Sequence, residues 1–271
     1  MSFTVLGATG FIGKALTESL KSQGHDVYSP VGKGESWFNE ILSRNLGHVF
    51  YCIGLTADFR QRPFDTVEAH VCLLGKLLEH GQIDSLTYLS STRVYEGAEN
   101  TDESAMLRGI PTNTGHLYNF SKLIGESLCL SSGRKTKVVR LSNVYGQDMA
   151  DKNFLSEVLK EAANTGRVRF ETSSKSSKDF ISLQELVRLL PPIAMDGKYD
   201  IYNLASGKNT TNAEIAQLLS KSGVEVSFSD ESVEWIFPNI SIQRLEAEFG
   251  KPSSSLEADL PSLLNYFRLK V

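Results

Sequence analysis

The feature that most constrains the fold is the stretch Val5-Leu6-Gly7-Ala8-Thr9-Gly10-Phe11-Ile12-Gly13, where the apolar run Phe3-Thr4-Val5-Leu6 gives way to three glycines spaced three apart and then to a helical pattern. That order reads as strand, tight turn and helix start. Each glycine answers a separate steric need. Gly7 can adopt positive φ, Gly10 lets a diphosphate-bearing ligand approach the backbone, and Gly13 lets the helix pack close to the strand. Free N–H groups at the helix N-terminus supply partial positive charge for the same ligand. Thr9, Phe11 and Ile12 stand between the glycines and are candidate contacts. A glycine-rich turn also serves packing alone, so it is the position between strand and helix that makes this one a candidate site.

Beyond the turn the chain alternates helical and extended patterns. Ile12, Ala15, Leu16, Ser19 and Leu20 recur at helical spacing until Gly24, and residues 26–29 form a second strand stopped by Pro30. Helices are expected over 35–45, 63–80, 117–130, 153–163, 183–190 and 212–220, with a terminal helical region closing near Phe267. Strands are expected over 48–53, closed by Gly54, and over 86–90, 137–141, 168–170 and 200–204. Residues 172–178 read as a polar, mobile loop. The short interval between the second and third strands omits one strand and helix of the usual doubly wound order. The alternation implies an α/β fold, a doubly wound parallel sheet of Rossmann type with a small C-terminal α/β substrate lobe. Residues 1–150 are expected to form the dinucleotide-binding domain and 151–271 mainly the smaller lobe, with parts of 179–205 returning to the first.

Composition narrows the partners. A net charge of -4 from 28 basic and 32 acidic residues, without long single-sign blocks, implies neither nucleic acid nor a membrane surface, and leaves small molecules. Cys52, Cys72 and Cys129 sit among apolar neighbours without metal-ligand spacing, which suggests a reduced, cytoplasmic chain with no metal site. No apolar run approaches the length needed to span a bilayer.

Two further stretches carry candidate chemistry. Tyr118 and Lys122 stand four apart on an expected helix, so both side chains project from one face. A phenol exchanges protons at neutral pH only when positive charge stabilises its anion, and Lys122 can supply that charge. Isolated pairs of this spacing are common on plain surfaces. Leu89-Ser90-Ser91-Thr92-Arg93-Val94-Tyr95 places hydroxyls at the C-terminal end of a strand, where sheet enzymes assemble their sites. Such clusters also serve as helix caps and turns.

Together with Gly7, Gly10 and Gly13, these stretches resemble the extended short-chain dehydrogenase/reductase family, the NAD-dependent nucleotide-sugar epimerases, dehydratases and reductases. The resemblance extends through Arg140-Leu141-Ser142-Asn143-Val144-Tyr145-Gly146, Lys178-Asp179-Phe180-Ile181 and Tyr202-Asn203-Leu204-Ala205-Ser206-Gly207. It implies that Tyr118 is the acid-base and also borders the bound cofactor, that Lys122 lowers its pKa and holds the nicotinamide ribose, and that Ser91 orients the reacting oxygen, a role Ser90 and Thr92 can share. Asn143 and Lys178 would meet the diphosphate of a nucleotide sugar, and Gly54 would line the cofactor cleft. Pairing through the helices at 63–80 and 117–130 would make a homodimer.

Three departures stand out. His70 occupies the place of the family's usual asparagine. Thr92-Arg93 replaces the acidic pair of the sugar dehydratases, which disfavours dehydration because no carboxylate is placed to protonate a leaving hydroxyl. Ser29, Pro30 and Val31 end the second strand without the acid that binds the adenosine ribose of NAD, while Lys33 follows in the loop, so NADP is expected to be tolerated alongside NAD. The expected activity is therefore reduction or epimerisation of a nucleotide-linked sugar. A cofactor-binding module without turnover, serving as redox sensor or scaffold, is the alternative.

Overall fold

The computed structural model describes residues 1–55, 58–149 and 153–270. The expected boundary at 150–151 lies outside the described residues. In chain order the first half runs β1 (Ser2–Leu6), α1 (Phe11–Ser22), β2 (Asp26–Tyr28), α2 (Gly34–Leu42), β3 (His48–Tyr51), α3 (Pro63–Val67), a π-helical turn (Glu68–Cys72), α4 (Leu73–His80), β4 (Ser85–Ser91), a 3-10 turn (Thr92–Tyr95), α5 (His116–Ser131) and β5 (Thr136–Leu141). The remainder runs β6 (Asn143–Tyr145), α6 (Phe154–Thr165), β7 (Arg167–Thr172), β8 (Ser177–Ser182), α7 (Leu183–Asp196), β9 (Ile201–Leu204), β10 (Asn209–Thr211), α8 (Asn212–Lys221), β11 (Glu225–Val233), α9 (Gln243–Phe249) and α10 (Leu256–Arg268).

Six parallel strands form the central sheet in the order β2-β1-β3-β4-β5-β9, with β2 on one edge. Their apolar side chains divide between two faces, as a doubly wound sheet requires. Phe3, Val5 and Phe50 join Leu16 and Leu20 of α1 and Leu186, Leu189 and Leu190 of α7. Leu6, Val49 and Tyr51 join Phe38 and Ile41 of α2 and Leu74 and Leu77 of α4. A second core, built from Leu155, Leu159, Phe170, Ile215, Leu219 and Leu264, holds the C-terminal helices against the pair β11-β7. The strand triplet β10-β8-β6 forms a third, small sheet.

Three local expectations change. The helix over 63–80 is interrupted by the π turn, whose carbonyls at Ala69 and His70 receive the buried hydroxyls of Tyr51 (2.6 Å) and Tyr88 (3.4 Å). The helix expected to stop at 190 continues through Pro191 and Pro192 to Asp196, because burial of Ile193 and Ala194 compensates the backbone bonds that two prolines forfeit. Residues 172–178 are a tied turn between two strands: Ala213 donates to the Ser174 carbonyl, Asn212 to the Ser176 carbonyl, and Ser173 and Ser177 donate to Val233 and Trp235. Its polarity reflects bonds to neighbouring backbone, not solvent.

Candidate active site

At the end of β1, Gly7 takes φ +86°, and a Cβ there would lie 2.8 Å from the Cys52 carbonyl of the adjacent strand end. A Cβ on Gly13 would lie 2.3 Å from the Gly7 carbonyl oxygen, so α1 sits directly on the turn. Gly10 is different: it is exposed, and a Cβ would meet only the Gly7 oxygen, at 3.3 Å. Two glycines are thus needed for packing, while Gly10 keeps an open backbone. With Gly10 as N-cap, α1 has no side-chain cap and no acid in its first turn, leaving donors near Phe11 and Ile12 for an anion. Thr9 is exposed beside them. This cradle fits the diphosphate of a dinucleotide. Lys33 is exposed at the N-cap of α2, after the acid-free end of β2.

Beyond the end of β3, Gly54 lies against the π turn and α5. A Cβ at that position would lie 3.0 Å from His70 Nε2 and 3.6 Å from Lys122 Nζ. Lys122 is buried on α5, donates to the Leu89 carbonyl at 2.9 Å and lies 5.8 Å from the centre of the Tyr118 ring. Burial pulls its ammonium down to about 7, opposed by the nearby Glu126 and Cys52. Tyr118, one turn earlier, is also buried, with the Ser91 side chain beside its hydroxyl. Desolvation holds the phenol above its ordinary value, with Ser91 and Arg93 pulling the other way. Arg93 and Lys122 both bring positive charge to the ring, at 5.7 and 5.8 Å from its centre; Arg93 opposes desolvation of the phenol, and Lys122 also donates to a backbone carbonyl.

The hydroxyls divide their work. Ser91 accepts from the Arg93 N–H at 3.2 Å, capping the 3-10 turn while it meets Tyr118. Ser90 points away, donating to Glu126 Oε1 at 2.5 Å, so it is not available to share the role of Ser91. Thr92 is buried at the start of the 3-10 turn. Glu126 in turn holds Arg140 through Nη2 at 2.7 Å, and Arg140 donates to the Tyr95 hydroxyl at 2.7 Å, which donates to Asn203 Oδ1 at 2.8 Å. This buried polar chain fixes β4, β5, β9 and α5 behind Tyr118 and Lys122. Ser90, Tyr95, Arg140 and Asn203 stand in the family-like stretches of the sequence, but only the sheet order shows that they join one another and Glu126.

Asn143, at the start of β6, is exposed and donates from Nδ2 to the Asp179 carbonyl at 2.9 Å. Lys178 is half-buried, with its ammonium 4.7 Å from the Phe154 ring centre and held down by burial and by Arg93. Sequence reasoning missed Phe59, whose buried ring lies 5.2 Å from that of Tyr118, and missed any positive role for Arg93, noted only where an acid was lacking. A hollow of about 750 Å³ lined by Thr101, Lys208, Asn239 and Gln243 among others includes none of the residues above.

The sequence profile of the NAD dependent epimerase/dehydratase family matches residues 3–205. The chain belongs to that family. The family's NAD-binding Rossmann fold recurs in solved structures that resemble this one over nearly their whole length. MoeE5 in complex with UDP-glucuronic acid and NAD is 19% identical, with 100% of each chain covered and a TM-score of 0.84. RMD from Pseudomonas aeruginosa, complexed with NADPH, is 21% identical, covering 100% of this chain and 99% of that one at a TM-score of 0.82. UDP-glucose 4-epimerase from Thermotoga maritima with UDP-glucose is 20% identical, covering 100% and 99% at a TM-score of 0.81. At these identities the likeness is one of fold. Among the described residues of this family member, no helix is long and apolar enough to cross a membrane.

Proposed function

We propose that this epimerase/dehydratase family member is an NAD(P)-dependent enzyme that reduces or epimerises a nucleotide-linked sugar, with Tyr118 moving the proton. The observation that carries the reading is convergence: Gly54 borders Lys122 and His70, Lys122 lies beneath the Tyr118 ring, and the phenol meets Ser91. A cofactor-binding module needs the glycine turn but no such pair. The bound nicotinamide nucleotide supplies a hydride donor or acceptor. The turn at Gly7, Gly10 and Gly13 with Thr9, Phe11 and Ile12 holds its diphosphate, Gly54 and Lys122 hold its nicotinamide ribose, and Lys33 contacts a 2′-phosphate when one is present. Neighbours in complex with NAD and with NADPH support leaving both cofactors open.

On the substrate side, Asn143 and Lys178 take the diphosphate of the nucleotide sugar. Ser91 hydrogen-bonds the reacting oxygen together with Tyr118. In reduction, the neutral phenol donates its proton to that oxygen. In epimerisation, Tyr118 first passes its own proton to the surroundings and then, as the phenolate, withdraws the substrate's hydroxyl proton and later returns it; Lys122, held near 7 by burial, stands beside that exchange. Dehydration is disfavoured because Arg93 stands where an acid is required, and Glu96, the nearby carboxylate, already accepts from Asn119 at 3.1 Å. Incubation with reduced cofactor and a panel of nucleotide-linked keto sugars, alongside oxidised cofactor with the parent sugars, tests the reading. Stoichiometric oxidation identifies a reductase and interconversion without net oxidation an epimerase, whereas cofactor binding without turnover of any member overturns it.

A further inference from the structure

The wall beside Tyr118 carries more positive charge than the proton chemistry uses. Arg93 Cζ lies 5.7 Å from the Tyr118 ring centre and 5.0 Å from that of Phe59, and Arg60 Cζ lies 4.6 Å from Phe59. Both guanidinium groups converge on Gly115, where a Cβ would sit 3.4 Å from Arg93 Nη2 and 3.5 Å from Arg60 Nη2. Two cations so close repel each other, and burial together with Arg60 holds Arg93 below the ordinary guanidinium value against the opposing pull of Glu96.

Little protein charge answers them. Glu96 lies 3.7 Å from Arg93 Nε, but it also accepts from Asn119 and faces His116 Nε2 at 3.7 Å. Arg93 Nε is buried without a hydrogen bond, and Nη2 reaches the Gly115 carbonyl only at 3.4 Å. Among the described residues Arg60 makes no ion pair or hydrogen bond. A planar fork of donors left this poorly paired in a half-buried wall costs stability unless a ligand completes it, and the ligand groups whose geometry matches are a carboxylate or a phosphate; with the phosphates assigned to the glycine turn and to Lys178 and Asn143, a carboxylate is the group left for this wall.

Resting on the assignment of a nucleotide-linked sugar above, we propose that Arg93 and Arg60 seat an anionic group on the reacting sugar, making the substrate an acidic, uronate-type sugar and not a neutral hexose. The position of Arg93 over Tyr118 places the anion at the end where the proton moves. Lys178 and Asn143, on β8 and β6, remain for the diphosphate. Arg93 is then a specificity-determining residue, and the charge it lends Tyr118 is a second consequence of the same placement.

The test is equilibrium binding to the NAD-loaded protein of UDP, UDP-glucose and UDP-glucuronic acid, with the GDP-linked mannose and mannuronic acid pair in parallel. The uronate is expected to bind about tenfold or more tighter than its hexose, as a charge-assisted bond implies. Arg93→Met should erase that preference while leaving the affinity for the bare nucleoside diphosphate within about twofold. Arg60→Met, at an exposed position, should reduce the preference several-fold and guards against misfolding of the first variant. Equal binding of hexose and uronate by the wild type, or a preference that survives both substitutions, overturns the seat but leaves the nucleotide-sugar assignment standing. Failure of every nucleotide and nucleotide sugar to bind overturns that assignment and the seat with it.

Discussion

The imidazole of His70 meets the Tyr118 ring edge to face, with centroids 5.4 Å apart and planes at 84°. Its Nε2 accepts from the Leu55 N–H at 3.2 Å, so Nδ1 carries the proton and donates to Ser121 Oγ at 2.8 Å; Ser121 donates in turn to the Tyr118 carbonyl at 2.9 Å. A neutral ring satisfies both bonds at once, and a charged one does not. Burial, with Lys122 nearby, accordingly pushes the imidazole down to about 2.

The unfolded chain binds a proton at His70 below its ordinary value of about 6.5, and the folded protein does not until the pH nears 2, so this group makes stability fall as pH drops through that window. The slope from His70 alone approaches about 1.4 kcal/mol per pH unit. His70→Asn keeps an acceptor for Leu55 but cannot titrate. Urea unfolding between pH 6 and pH 4 should show the wild type losing about 2 kcal/mol more than this variant. Parallel losses would contradict the neutral, doubly bonded ring.

Lys122 behaves in the opposite range. Its folded value of about 7 lies below the ordinary 10.5, so the unfolded chain binds more protons between these limits and stability rises with pH across them. Below about pH 7 the protein bears the full cost of a buried ammonium. Lys122→Met removes that cost, so its melting temperature relative to wild type should gain most at pH 6 and least at pH 10. A pH-independent difference would contradict the assignment.

Arg140 and Glu126 form a buried ion pair in which only 4% and 5% of the side chains is exposed. Arg140→Met strands the Glu126 carboxylate and should cost about 3–5 kcal/mol by denaturant unfolding. Adding Glu126→Leu should recover much of this loss. A single variant as stable as wild type would show that the pair does not hold the sheet behind α5.

How much was legible in the sequence depends on the range of the cause. The turn at Gly7, Gly10 and Gly13 and the spacing of Tyr118 and Lys122 are local patterns, visible because turn and helix geometry repeat within a few residues. The central sheet was legible from alternating patterns, and the short interval before β3 from length alone. The π turn was not, since it depends on Tyr51 and Tyr88 reaching its carbonyls from two other strands. Arg93 was visible only as a missing acid. Its partners Phe59 and Arg60 arrive from a loop more than thirty residues earlier, which no periodicity connects to it.

The acid-free end of β2 bears on cofactor choice. Without a carboxylate to bond the ribose hydroxyls or repel a 2′-phosphate, NADP should bind at least as tightly as NAD in fluorescence titrations. Lys33→Ala should weaken NADP several-fold and leave NAD unchanged. Binding of NAD far tighter than NADP would contradict this account.

Turnover by Tyr118→Phe, measured on an identified nucleotide-sugar substrate with cofactor affinity determined on the same sample, tests the central claim most directly. Removing one hydroxyl should leave the buried ring, its contacts with Phe59 and His70 and the cofactor affinity in place, while turnover falls by about a hundredfold or more. Full turnover by this variant would contradict the assignment of Tyr118 as the proton-transferring group.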